Sequence, residues 1–140
     1  MKSAPIPFPN RGTTVGFVLV AGAVNVAAFA FELFERIAWI DKFLHAFTGF
    51  VAVLAVLYLL RHRLDRTIAR YPGFIVTAAM GFGLAIGLAW ELLEWLGDTL
   101  YGLSLMKGTT DTVMDLVMDA LGAGLAGFAA QAAWRAQRRG

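Results

Sequence analysis

Four long apolar runs separated by short polar segments dominate the pattern of this chain. They are Val15 to Phe31, broken only by Asn25; Phe43 to Leu60, with His45 near its start; Phe74 to Leu96, with Glu91 and Glu94 near its end; and Thr112 to Trp134, with Asp115 and Asp119 in its first half. None contains an internal proline, and none alternates with a period of two, so each reads as helix rather than strand. A bilayer core about 30 Å thick takes roughly 20 residues of helix. The runs predict helices at approximately 14–31, 42–60, 74–96 and 112–134. The expected fold is an all-α membrane protein, a four-transmembrane-helix bundle forming a single membrane domain over residues 1–140. The first run also has the outline of a signal peptide, with Lys2 and Arg11 before it and Ala28-Phe29-Ala30 near its end. We read it as the first spanning helix. The segment Glu32–Ile40 either extends that helix or lies along the membrane surface.

Composition agrees with this pattern. Apolar residues make up 59% of the chain and charged residues 16%. A chain of this size could not bury so much apolar surface in water. The net charge of +2 is too small for a nucleic-acid surface, and there is no cysteine, which excludes disulfides and thiolate chemistry.

The basic residues predict an orientation. Lys2, Arg11, Arg61, Arg63, Arg66, Arg70, Arg135, Arg138 and Arg139 fall on one side of a four-span chain, and only Arg36, Lys42 and Lys107 on the other. The first group should face the cytoplasm, so both termini are expected there, in a bacterial cytoplasmic (inner) membrane. Trp39, Trp90, Trp95 and Tyr101 are expected at the outer interface, and Tyr58, Tyr71 and Trp134 at the inner one.

Of the ten carboxylates, only Asp65 falls on the cytoplasmic side. Residues three or four apart share a helix face. Asp41 and His45 do so, as do Glu91 and Glu94, and Asp111, Asp115 and Asp119. At 1.5 Å per residue, Asp119 lies about 12 Å along the helix from Asp111, inside the hydrocarbon zone. Carboxylates at that depth face a protein interior or a wet cavity. Gly83 and Gly87 continue the Glu91 stripe, and Ala120, Ala123, Gly124 and Gly127 follow Asp119. Such small residues let helices approach closely. These positions predict an outward-facing polar pocket lined by Asp41, His45, Glu91, Glu94, Asp111, Asp115 and Asp119, with Glu32, Glu35 and Asp98 at its rim.

Two stretches carry a family resemblance. Asp41-Lys42-Phe43-Leu44-His45, opening a membrane helix, resembles the DKxxH signature of VanZ-like proteins, and the acidic run Asp111 to Asp119 followed by Gly122 and Gly124 resembles their late helix. Together with Trp90-Glu91-Leu92-Leu93-Glu94-Trp95, the pattern is more similar to the YjdF-like inner-membrane proteins. Glu94 and Asp119 stand where VanZ-like proteins tend to have glutamine and asparagine. The resemblance covers roughly Asp41 to Gly127 and implies work at the cell envelope, without a settled reaction.

The residues themselves suggest chemistry. Oxygen ligands with one imidazole suit a divalent metal ion, Mg²⁺, Mn²⁺, Ca²⁺ or Zn²⁺. Converging carboxylates must bind a cation or hold protons, because Arg36, Lys42 and Lys107 are too few to neutralise them all. A metal there would bind or act on an envelope lipid or precursor. The alternatives are a proton- or cation-coupled transporter, and a non-catalytic accessory subunit of a larger membrane complex. Asp98 and Glu32 are expected to be solvated, and Asp111 to mark the start of the last helix. No haem or nucleotide is expected, because one membrane histidine cannot give bis-histidine ligation and no phosphate-binding loop is present. Expected partners are membrane lipids, with a homo-oligomer or larger complex left open, and no nucleic acid.

Overall fold

The computed structural model describes residues 9–60 and 71–137. The basic residues Lys2, Arg61, Arg63, Arg66, Arg70, Arg138 and Arg139, and Asp65, lie outside the described residues. The chain forms α1 (Arg11–Ala30), a single turn α2 (Leu33–Arg36), α3 (Ile40–Leu60), α4 (Pro72–Tyr101) and α5 (Thr109–Gln137). Four of these are long and apolar enough to cross a membrane. The fold is therefore the expected all-α bundle, with α4 running five residues beyond its expected end at Leu96.

Local chemistry sets the helix ends. Asn10 caps α1 by accepting a hydrogen bond from the Thr13 amide at 2.9 Å. Past Ala30 the chain does not continue as helix: Glu32 adopts a left-handed conformation at φ 54°. The Glu32–Ile40 segment is thus a break and a short turn rather than an extension of α1. Gly102 ends α4 in the left-handed conformation at φ 67°, which glycine adopts without strain. α5 begins at Thr109, so Asp111 sits inside its first turn rather than before it.

α5 is the least apolar of the four spans and has the largest share of its length buried. It is the central helix, packed along both α3 and α4, while α1 leans on α3. Small residues make this possible. A Cβ on Gly83 would collide with the Ala123 side chain, one on Gly87 with the Asp119 carboxylate, and one on Gly127 with the Ala79 side chain 2.8 Å away. These three pairs are spaced one turn apart along antiparallel α4 and α5. On the other side, α3 and α5 cross where Gly49 meets the Asp119 backbone and Gly122 meets the Ala46 carbonyl. Asn25 ties α1 in by donating to the Thr48 hydroxyl at 3.2 Å and to the Ala21 carbonyl at 2.8 Å.

Away from the acidic residues the core holds an apolar cluster of Val53, Leu57, Ile75, Ala79, Ala123, Ala126, Ala130 and Trp134, with Thr14 and Gln131 the buried polar side chains among the described residues there. Trp134, expected in the inner aromatic belt, is only 5% exposed. Alanines one and two turns before it on the central helix leave room for its indole within the bundle. Trp39, Trp90, Trp95 and Tyr101 are exposed at the acidic end, as an interfacial belt requires.

Candidate functional site: an acidic cluster around His45 and Lys42

Parallel packing of α3 against α5 brings the first turns of both helices together. Asp41, Lys42 and His45 lie on α3, and Asp111, Asp115 and Asp119 on α5. Asp115 and Asp119 are buried. Lys42 is the hub of the outer layer. Its Nζ donates to Asp111 Oδ1 at 2.5 Å and to both Asp115 oxygens at 2.7 and 2.9 Å, and lies 3.5 Å from Asp41 Oδ2. Lys107, from the α4–α5 connection, reaches the same Asp41 oxygen at 3.0 Å. The two lysines partly neutralise the carboxylates, in keeping with a count of bases too small to neutralise them all. Lys42 is the residue of this cluster that sequence reasoning undervalued. Its signal was its place inside the Asp41–His45 run, three residues before the histidine.

His45 forms the inner layer. Its Nδ1 is 3.1 Å from Asp119 Oδ2. Its Nε2 points at two further carboxylate oxygens, Asp115 Oδ1 at 3.8 Å and Asp41 Oδ1 at 3.9 Å. These gaps are too long for direct hydrogen bonds. With Nδ1 donating to Asp119, a neutral imidazole turns its Nε2 lone pair toward two anions. Lys42 already compensates Asp115 and lies near Asp41, and a second ring proton or a cation in the gap would compensate them further. Asp41, His45 and Asp115 each offer one ligand atom, and these atoms lie within 4.8 Å of one another.

α4 supplies the third wall. The register that sets Gly83 on Ala123 and Gly87 on Asp119, carried one turn further, sets Glu91 opposite Asp115. Glu91 is 5% exposed, and its Oε1 has no hydrogen-bond partner among the described residues. Glu94, one position off that stripe, accepts from Trp90 Nε1 at 2.8 Å and remains within electrostatic reach of His45, Asp41 and Glu91. Of the seven expected pocket residues, Asp41, His45, Asp111, Asp115 and Asp119 are linked directly or through Lys42. Glu91 faces their helix, and Glu94 is engaged along its own.

The rim differs from expectation. Asp98, expected to be solvated, accepts from the Leu105 amide at 2.6 Å and the Met106 amide at 3.0 Å, and so pins the α4–α5 connection. Glu32 pairs with Arg36 at 3.3 Å on an exposed turn. Asp98 thus holds Lys107's loop over the site, whereas Glu32 serves the surface.

Against this geometry, the family described as "Predicted membrane protein (DUF2238)" matches residues 5–137. An uncharacterized protein from Thermotoga maritima is 31% identical over 92 residues, which are 65% of this chain and 47% of that protein. The chain therefore spans about half the length of that relative. No solved structure matches the chain. With four apolar helices and a match across nearly its whole length, the chain belongs to the DUF2238 family of predicted membrane proteins, the YjdF-like group.

Proposed function

We propose that the acidic end is a divalent-metal site on the outer side of a bacterial cytoplasmic membrane, and that it serves to bind or act on the phosphate of an envelope lipid or precursor. The observation that carries this reading is His45. Asp119 orients the ring through Nδ1, and Nε2 faces Asp41 and Asp115 across gaps of 3.8–3.9 Å. A carboxylate behind a ligating histidine is the usual way to fix its tautomer. An ion with bonds of about 2.0–2.6 Å holds adjacent ligand atoms roughly 3–4 Å apart. Glu91, buried on α4 with an unpartnered oxygen, stands outside the three converging ligand residues and is an acceptor that a rotamer change would have to bring in. Carboxylates with one imidazole favour Mn²⁺ or Zn²⁺ over Mg²⁺ or Ca²⁺. When bound, such an ion supplies Lewis-acid polarisation of a phosphate oxygen. The chain's own residues orient it, and Lys42 and Lys107 carry positive charge to the rim, where an anionic headgroup would approach. The VanZ-like resemblance supports an envelope role, and the basic residues support the outward orientation.

A second reading rests on Lys42. An ammonium already seated among Asp111 and Asp115 makes the cluster a self-neutralised tie between α3 and α5, suited to an accessory subunit of a membrane complex. Thermal unfolding in detergent separates the two readings. A ligand at 100 times its dissociation constant stabilises by about 2.7 kcal/mol. Chelation should therefore lower Tm by several degrees, and Mn²⁺ or Zn²⁺ should restore it in the wild type but not in Asp115→Asn. A Tm indifferent to chelator and to every divalent ion favours the structural tie.

A further inference from the structure

At the far end of α5 from the acidic cluster, a cavity of about 270 Å³ is lined by Phe128, Gln131, Ala132, Arg135 and Ala136. Two of these residues are hydrogen-bond donors without acceptors among the described residues. Gln131 is 5% exposed, yet its Nε2 has no partner among the described residues. Buried amide donors are normally satisfied by an acceptor. Arg135 lies one turn further on the same helix face. It forms no ion pair among the described residues, whose carboxylates all lie at or toward the opposite end of the bundle.

We propose that this cavity binds the phosphate of an anionic membrane lipid. The guanidinium fork suits phosphate oxygens, and the Gln131 amide adds a neutral donor from below. Phe128 is 65% exposed and precedes Arg135 by seven residues, which places it about 10 Å deeper along the helix. A lipid phosphate held by Arg135 and Gln131 would lay its glycerol and first methylenes along Ala132 and Phe128. The alanines at 132 and 136 keep that face open. A soluble phosphate would use the donors but not Phe128, so the apolar floor selects the lipid. This site is independent of the acidic end and of any metal there.

The test is native mass spectrometry of the full chain from nanodiscs of equal phosphatidylglycerol and phosphatidylcholine, with inorganic phosphate titrated in a parallel detergent sample. The wild type should retain phosphatidylglycerol at least fivefold over phosphatidylcholine. Arg135→Gln and Gln131→Leu should each bring the ratio close to one, Phe128→Ala should lower it about twofold, and Arg36→Gln, at the other end, should leave it unchanged. Arg135 is exposed, so its variant should remain folded whatever Gln131→Leu does. A preference that survives both donor variants would overturn the proposal. So would Arg135-dependent binding of inorganic phosphate with no preference for the anionic lipid.

Discussion

Asp119 and His45 are joined across α3 and α5 by a 3.1 Å contact between Oδ2 and Nδ1. The same aspartate's backbone touches Gly49, and its carboxylate rests where a Cβ on Gly87 would stand. One residue therefore marks the crossing of three helices and sets the histidine's direction. Close packing and site geometry are the same feature of this bundle.

If Asp119 orients a metal-ligating His45, Asp119→Asn keeps the shape but loses the anion behind the ring. Metal affinity, measured by competition with a chromogenic chelator, should fall about 10- to 100-fold. An unchanged affinity would show that the ring direction is set elsewhere.

Lys42 holds Asp111 and the buried Asp115. Lys42→Met leaves these acids without their ammonium, which costs on the order of 3 kcal/mol when a partly buried pair is broken from one side. Denaturant titration in detergent should show that loss. Under the metal reading, added Mn²⁺ or Zn²⁺ should recover part of it.

Gly122 faces the Ala46 carbonyl with no room for a methyl group, whereas Gly16 on α1 has open space around it. Gly122→Ala should destabilise by about 1–3 kcal/mol through forced separation of α3 and α5. Gly16→Ala should be neutral or stabilise by about 0.5–1 kcal/mol, because it only removes helix-interior backbone freedom. Equal effects at the two positions would contradict the crossing described here.

Asp98 carries the α4–α5 connection on two amide hydrogen bonds. Asp98→Ala should cost about 2 kcal/mol. Hydrogen exchange should speed at Leu105 and Met106 and leave the α3–α5 crossing protected.

The helix count was legible in the sequence because each apolar run has the length of a bilayer crossing and carries no internal proline. That Asp41 and His45 share one helix face, and Asp115 and Asp119 another, was legible too, because each pair is four residues apart. Lys42 was harder to see. Counting bases says nothing of reach, and only the packing of α3 beside α5 shows that one flexible stem meets Asp111 and Asp115. The burial of Trp134 was hard to see for a related reason. Depth along a helix can be read from sequence, but not that α5 is the central helix whose far end points inward. Asp98 reads as one more outer acid until the chain turns back and offers it two amides.

The most direct test is elemental analysis of detergent-purified protein, wild type beside an Asp115→Asn/Asp119→Asn double variant. The account predicts near-stoichiometric divalent metal in the wild type and its loss in the variant, with both proteins folded at the same helix content. No metal in the wild type, after exposure to Mg²⁺, Mn²⁺, Ca²⁺ and Zn²⁺ in turn, would contradict it and leave the acidic cluster as a tie between helices.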